Sequence, residues 1–151
     1  MTRREFAPLQ PFGDGTKQPV GVDVWYKMRE RRQRTEVCTI EYHAELKELP
    51  GGFRLRVSAK GTRDLPVTIE IGLHTDGELS GCEAALDVTD GYLLPTGKEA
   101  TLRVGSDQIR FGPGRADHQY TQVRGAEAKL PGRSVYLTGY APFDHTMEFK
   151  W

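Results

Sequence analysis

The sequence contains few cysteines and no long apolar run. Cys38 and Cys82 are its two cysteines, too few for a disulfide framework and too far apart for a zinc knuckle or a redox pair. We expect both to be small buried apolar residues, with one disulfide between them as the alternative. No run approaches the ~20 apolar residues that a membrane-spanning helix needs. No apolar segment follows the first five residues, so no secretory signal is expected, and the compartment is not fixed.

An excess of charge of either sign is also absent. Lysine and arginine number 21 and aspartate and glutamate number 21, so the formal net charge is zero. Binding to nucleic acid or to an anionic membrane surface draws on a surplus of positive charge. The composition therefore predicts no nucleic-acid partner and no membrane partner. Hydrophobic residues make up 37% of the 151 residues, which is enough for one soluble domain with a core.

Helical periodicity is missing as well, whereas turn-forming residues are frequent. The chain has 17 glycines and 9 prolines, and they are spread along it as turn signals instead of being collected in one linker. Several of them fall in residues 1–19, which predicts an irregular lead-in or linker there. Residues 20–151 are then expected to form a single β-domain.

A predicted β-hairpin carries the clearest pattern. Between residues 38 and 60 apolar and polar residues alternate, and such alternation gives a strand one buried and one solvated face. The predicted buried face consists of Cys38, Ile40, Tyr42, Ala44, Leu46, Phe53, Leu55, Val57 and Ala59. Pro50 and Gly51 supply a turn between the two strands. A register centred on this turn places Glu45 opposite Arg56 and apolar residues opposite apolar ones, so it satisfies both faces.

Eight further segments predict strands, because they are short, are bounded by turn signals and in several cases alternate in the same way. They cover residues 20–27, 67–73, 79–86, 91–94, 100–104, 108–111, 134–140 and 145–151. About ten short strands without a helix predict an all-β fold, namely a two-layer antiparallel β-sandwich or jelly roll. An up-and-down barrel is the alternative, because the pattern does not show whether a sheet closes on itself.

One short motif is compatible with a metal centre. His74-Thr75-Asp76 at a strand end, together with His118 or His145 later in the chain, has the ligand types of the facial triad that binds ferrous iron in jelly-roll 2-oxoglutarate oxygenases. Asp76 followed by Gly77 is also typical of an ordinary hairpin turn. A small metal-dependent oxygenase that uses His74, Asp76 and His118 is therefore an alternative function, whereas the main interpretation requires no cofactor.

Charged residues allow two further interpretations. Glu41, Glu45 and Glu70 lie on predicted solvated faces, where they suit either a carboxylate pair for glycoside hydrolysis or cross-strand partners of lysine and arginine. Four arginines within residues 29–34 stand beside two aromatic residues. This cluster suits either a grip on a polyanion or the charged edge of a sheet, where charge prevents aggregation. We favour the structural interpretation in both cases.

Aromatic residues are the candidate ligand-binding groups. Aromatic rings stack on the C–H faces of sugars while their polar tips stay hydrated. The residues expected to bind carbohydrate are Trp25, Tyr26, Tyr92, Tyr120 and Tyr140. The alternative for each one taken singly is a packing role in the core or rim of the sandwich.

Four short runs occur in the order PVTIEI (66–71), LSG (79–81), DQIRFGPG (107–114) and VYLTGYAPF (135–143). In this order they resemble the C-terminal β-sandwich module of heparinase II/III-like polysaccharide lyases, over about residues 37–151. In those enzymes the catalytic tyrosine and histidine lie mainly in a helical toroid and a separate central sheet domain, and this chain has no toroid. The resemblance therefore implies an accessory domain without independent activity, and it implies no catalytic residue here.

The sequence thus predicts a non-catalytic β-sandwich accessory domain associated with a polysaccharide-degrading enzyme. Its expected partners are a polysaccharide or a partner enzyme domain. A protein-interaction module that uses an exposed sheet edge is a further hypothesis beside the oxygenase.

Overall fold

A computed structural model describes residues 2–6, 34–73, 77–121 and 130–151, with side chains from residue 39 onward. These residues form strands, turns and loops, so the described part of the chain offers no helix that could cross a membrane. The strands are β1 (Thr2–Phe6), β2 (Arg34–Leu49), β3 (Gly52–Gly61), β4 (Pro66–Leu73), β5 (Glu78–Ser80), β6 (Glu83–Ala84), β7 (Gly91–Leu93), β8 (Ala100–Val104), β9 (Asp107–Gly112), β10 (Arg133–Tyr140) and β11 (Phe143–Lys150). The prediction of an all-β fold is confirmed.

Two compact units divide the chain, residues 1–39 and residues 40–151. In the first unit β1 pairs antiparallel with residues 34–39 at the start of β2. The expectation of an irregular lead-in is therefore wrong for residues 2–6, because their backbone groups pair with those of a neighbouring strand. The rest of that lead-in, its predicted boundary with the domain and the predicted strand over 20–27 lie outside the described residues.

A large antiparallel sheet forms one layer of the second unit, in the order β2-β3-β11-β9-β8-β5. Its first hairpin has the predicted register, with Glu45 opposite Arg56. The turn is tight because Gly51 has a φ of 69°, which residues with a Cβ adopt only at a cost. A Cβ at Gly52 would stand 1.9 Å from the carbonyl oxygen of Phe149, so the close approach of β3 and β11 requires glycine there.

A smaller sheet forms the other layer, in the order β4-β10-β7-β6. β10 pairs antiparallel with β4 and parallel with β7. The inward side chains of the two sheets share one apolar core, as in a sandwich. Its buried members are Leu94, Ala100, Leu102, Phe111, Val135, Leu137, Met147 and Phe149. The predicted two-layer sandwich is therefore confirmed in place of the barrel, and the β7–β10 pair is the exception to its antiparallel pairing.

The apolar side chains of β2 are exposed from Tyr42 to Leu46, which corrects the prediction of a buried face there, whereas Ile40 is partly buried. Tyr42 is 47% exposed and Leu46 is 68% exposed, and Ala44 between them is exposed too. Leu55, the cross-strand neighbour of Leu46, packs against the core instead. The reason is the position of β2 in the sheet, where it lies beyond β3. These three residues belong neither to the core described above nor to a smaller core cluster of Ala59, Val67, Ala141 and Phe143.

The outward-facing side of β10 is buried, although its residues are polar. Ser134, Tyr136 and Thr138 are at most 2% exposed. The segment after β9 first lies beside β10, where Ala116 forms a parallel bridge with Thr138. It then crosses the outward face, because the His118 N–H donates to Oγ1 of Thr138. Buried polar groups need partners within the protein, so this covered face is where polar contacts concentrate.

Candidate functional site

His118 is a buried histidine that backbone groups hold in one orientation. The N–H of Tyr120 donates to its Nδ1 over 3.2 Å, so Nδ1 is the acceptor and Nε2 carries the proton. Nε2 donates to the carbonyl oxygen of Gly139 over 3.0 Å. Thr138 fixes the backbone of the same residue, because its Oγ1 donates to the His118 carbonyl over 2.5 Å. The ring therefore has one tautomer, with both nitrogens in use.

Two exposed tyrosines stand next to this ring. The Tyr140 ring meets it edge-on at 5.0 Å between centroids, and the Tyr120 ring lies 5.4 Å from it. Tyr120 is 62% exposed and Tyr140 is 39% exposed. The hydroxyl of Thr68 donates to the carbonyl of Tyr120 over 2.9 Å, which holds the loop against β4. We call Tyr120, Tyr140 and His118 the tyrosine surface; it presents two aromatic rings to solvent on an anchored base.

Glu70 organises the polar contacts on the same outward face of the small sheet. Its Oε1 accepts hydrogen bonds from the Ser134 hydroxyl at 2.6 Å, the Tyr136 hydroxyl at 3.1 Å and the Leu130 N–H at 3.1 Å. Burial, and after it the charge of the Glu70 carboxylate, raise the pKa of Tyr136 to about 12. The phenol is thereby kept protonated, as a donor within the network.

Asp87 fastens a second loop to the same face. Its Oδ2 accepts a hydrogen bond from the Thr121 N–H at 2.9 Å, and its Oδ1 accepts one from the Thr121 hydroxyl at 2.6 Å. A Cβ at Gly91 would stand 2.3 Å from Val88 and 3.0 Å from the ring of Tyr136, so this loop packs closely over the buried phenol. The backbone is thus also held directly after Tyr120, at Thr121.

The outward face of the large sheet carries ion pairs. Arg56 binds Asp144 through two hydrogen bonds of 2.9 and 2.6 Å, and Glu148 pairs with Arg54 at 2.7 Å and with Lys150 at 2.8 Å. The hydrogen bond from Arg56 lowers the pKa of Asp144, and those from Lys150 and Arg54 lower the pKa of Glu148. Exposed pairs of this kind contribute little to stability, so they chiefly define the charge of this surface.

A shallow groove of about 350 Å³ lies among these charges. It is lined by Arg54, Glu99, Arg110, Gly112, Pro113, Thr146, Glu148 and Lys150. The described lining contains charged, polar and small residues without an aromatic ring. The groove therefore offers charge–charge contacts, whereas the tyrosine surface offers stacking.

Four of the described groups have pKa values that are shifted further from neutral pH than usual. Burial raises the pKa of the free thiol of Cys82 to about 11, and Tyr136 is shifted upward as well. Asp144 and Glu148 are shifted downward. A general acid or base works best with a pKa near the working pH. Among the residues that the structure describes, the shifted groups therefore suit packing and binding better than proton transfer.

The structure brings two of the predicted carbohydrate-binding residues together, Tyr120 and Tyr140. Tyr92 lies apart from them: it packs against the core cluster, and the guanidinium of Arg133 stands 5.8 Å from its ring centroid. We therefore assign Tyr92 a packing role. Trp25 and Tyr26 fall outside the described residues, as does most of the basic cluster beside them.

Of the three residues of the alternative metal site, His118 is the one that the structure describes. His118 already uses both ring nitrogens in hydrogen bonds to the backbone, so it has no lone pair left for a metal. His74 and Asp76 fall outside the described residues. Within 34–73, 77–121 and 130–151, no three His, Cys, Asp or Glu side chains come together as a metal-binding group.

Comparison with known proteins adds no assignment. No protein-family model matches the chain, and neither a curated protein nor a solved structure matches it at a significant level. Function is therefore inferred from this chain's own residues.

Proposed function

We propose that this chain is a non-catalytic β-sandwich accessory domain of a polysaccharide-degrading enzyme, and that it holds a polysaccharide on the tyrosine surface. The observation that carries the proposal is the pair of exposed rings of Tyr120 and Tyr140 beside the anchored His118. The resemblance of the sequence to the sandwich module of polysaccharide lyases supports the same class of function.

Stacking is the physical basis of the proposed binding. The C–H face of a pyranose packs on an aromatic ring, while the phenolic hydroxyl of tyrosine remains free to bond a sugar hydroxyl. A surface that is already ordered loses little entropy when it binds. Here the hydrogen bonds of His118 and the bond from Thr68 fix the backbone beside both rings. The charged groove on the other sheet has no such ring, so we favour the tyrosine surface.

Affinity electrophoresis through gels that contain neutral or acidic polysaccharides tests the proposal. We expect at least one polysaccharide to retard the full chain. Tyr120→Ala and Tyr140→Ala should each weaken that interaction by about tenfold, since each removes one stacking ring. Tyr120→Phe keeps the ring and should retain most of the binding, and Val104→Ala, at an exposed site on the large sheet, serves as the control.

Two results would contradict the proposed binding. One is that no polysaccharide in the panel retards the protein. The other is that both alanine variants migrate like the wild-type chain in every gel. Circular dichroism of each variant separates a lost contact from a lost fold.

A further inference from the structure

The shallow groove on the large sheet lies along a strip of charged side chains that crosses three strands. β11 contributes Glu148 and Lys150, and the strands on either side of it contribute Arg54 and Arg110. Glu148 already binds two of these cations. Its Oε1 accepts hydrogen bonds from Arg54 at 3.0 and 2.7 Å, and its Oε2 stands 2.8 Å from Nζ of Lys150. Both oxygens of this carboxylate are therefore in use within the protein.

Arg110 differs from the other two cations of the groove. Its side chain is exposed, and no carboxylate of the described residues forms an ion pair with it. The strand register places it directly opposite Lys150. Like charges that face each other on neighbouring strands are destabilising. An anion bound between Arg110 and Lys150 would replace this repulsion by two attractions, so the pair is arranged to favour an anionic ligand.

The cations of the groove also retain hydrogen-bond donors for such a ligand. Arginine carries five N–H donors and lysine carries three. Arg54 donates to Glu148 from two of its nitrogens, and Lys150 contacts Glu148 through one ammonium group. Guanidinium groups bind carboxylates through two parallel hydrogen bonds. A carboxylate that enters the groove can therefore bind Arg110 through both of its oxygens and lie next to Lys150.

The acidic residues of the groove indicate which kind of anion fits. Glu99 and Glu148 line it together with three cations, so the lining has a net charge of only plus one. A densely charged polyanion, such as nucleic acid or an acidic polysaccharide, binds to a larger surplus of positive charge and would be repelled by the two glutamates. A peptide carries separated carboxylates for Arg110 and also backbone N–H groups for Glu99. The mixed lining therefore favours an acidic peptide, a ligand that arginine clusters recognise in other proteins.

We propose that this groove is a docking site for an acidic peptide segment of a protein partner, with one carboxylate of the peptide bound between Arg110 and Lys150. Glu99 accepts hydrogen bonds from backbone N–H groups of the same peptide. The groove lies on the large sheet and the tyrosine surface lies on the small sheet, so this docking is independent of polysaccharide binding.

NMR titration of the isotope-labelled full chain tests the proposal. The probe is a mixture of blocked heptapeptides with glutamate at the central position and varied residues elsewhere. We expect saturable shifts of the backbone amides of Arg110 and Lys150, and about tenfold weaker binding of the matched mixture with central glutamine, since it lacks the charge. Arg110→Gln should weaken binding of the glutamate mixture by a similar factor. Arg103→Gln, at an exposed site on β8 outside the groove, should bind like wild type.

Three results would overturn the proposal. The first is the absence of saturable shifts with the glutamate mixture, and the second is equal affinity for the glutamate and glutamine mixtures. The third is that polygalacturonate shifts the same amides and binds more tightly than the peptides, which would assign the groove to an acidic polysaccharide. The dispersion of the amide spectrum shows whether Arg110→Gln and Arg103→Gln are folded; if both are folded and bind equally, the carboxylate does not bind at Arg110 and the proposal also fails.

Discussion

Removing the Glu70 carboxylate should destabilise the small sheet strongly. Glu70→Ala leaves the hydroxyls of Ser134 and Tyr136, both fully or almost fully buried, without the oxygen that accepts from them at 2.6 and 3.1 Å. An unsatisfied buried polar group costs about 1–3 kcal/mol, so two of them predict a loss of about 2–6 kcal/mol in the free energy of unfolding. The Leu130 N–H adds little, because that residue is exposed and water can replace the acceptor.

Urea unfolding followed by tryptophan fluorescence measures this loss. The midpoint should fall while the m-value stays unchanged, since the same surface is exposed on unfolding. A protein of this size loses ~2–4 °C in Tm per kcal/mol, so a thermal melt should shift by on the order of 10 °C. Glu70→Gln keeps one acceptor oxygen and should cost less. Glu78→Ala, an exposed glutamate on β5, is the matched control and should stay within about 0.5 kcal/mol of wild type.

A double-mutant cycle with Tyr136→Phe separates the network from a general effect of the substitution. Once Glu70 is alanine, removing the phenolic hydroxyl no longer breaks a hydrogen bond, so Tyr136→Phe should cost less in that background than in wild type. Residues that share a hydrogen bond typically show a coupling of about 0.5–3 kcal/mol. If Glu70→Ala matched the Glu78→Ala control, or if the two changes were additive, the assignment of Glu70 as the shared acceptor would be refuted.

Two further predictions concern the core and the alkaline limit. Leu137→Ala should cost about 2–5 kcal/mol as a core truncation, whereas Leu46→Ala, at an exposed site, should stay within about 0.5 kcal/mol in urea unfolding of dilute protein; equal costs would contradict the exposure of β2. Tyr136 has its pKa raised from 10.0 to about 12, so its contribution to stability should be complete below pH 10 and should be lost between pH 10 and 12, because the unfolded phenol ionises first. Urea unfolding across that range should show a shallower decline for Tyr136→Phe than for wild type, and identical declines would contradict the shift.

Period-two alternation was sufficient to predict the hairpin and its register. Glu45 stands opposite Arg56 and Glu41 opposite Lys60, because the Pro50-Gly51 turn fixes which residues face each other. The hairpin and its register both depend on local sequence, because the turn lies between the two strands and the apolar–polar alternation lies within each strand. The sandwich followed from the same signal, since several half-apolar strands require a second layer to cover them.

The sequence predicts only part of the candidate site, because the contacts that anchor the site join residues far apart in the chain. Tyr120 and Tyr140 were identified as single aromatic residues, but nothing local shows that His118 links them or that Gly139 accepts its proton. The alternation of residues along β4 places Glu70 on a face that is predicted to be solvated. Its hydrogen-bond partners lie on β10, some 60 residues later in the chain. The loops that cover β10 have no periodic pattern in the sequence that would predict this cover.

Alternation identifies the residues that share a face, but the order of strands in the sheet decides whether that face is covered. Leu46 and Leu55 carry the same signal and face each other, yet Leu55 packs against the core and Leu46 does not. The difference arises because β3 lies between β2 and β11, and β11 comes from the far end of the chain. Tyr42 and Leu46 on β2 therefore have the alternation that is typical of core residues, although they lie outside the core. Periodicity along one strand therefore locates the apolar face of that strand, whereas the burial of the face depends on which strands lie on either side of it.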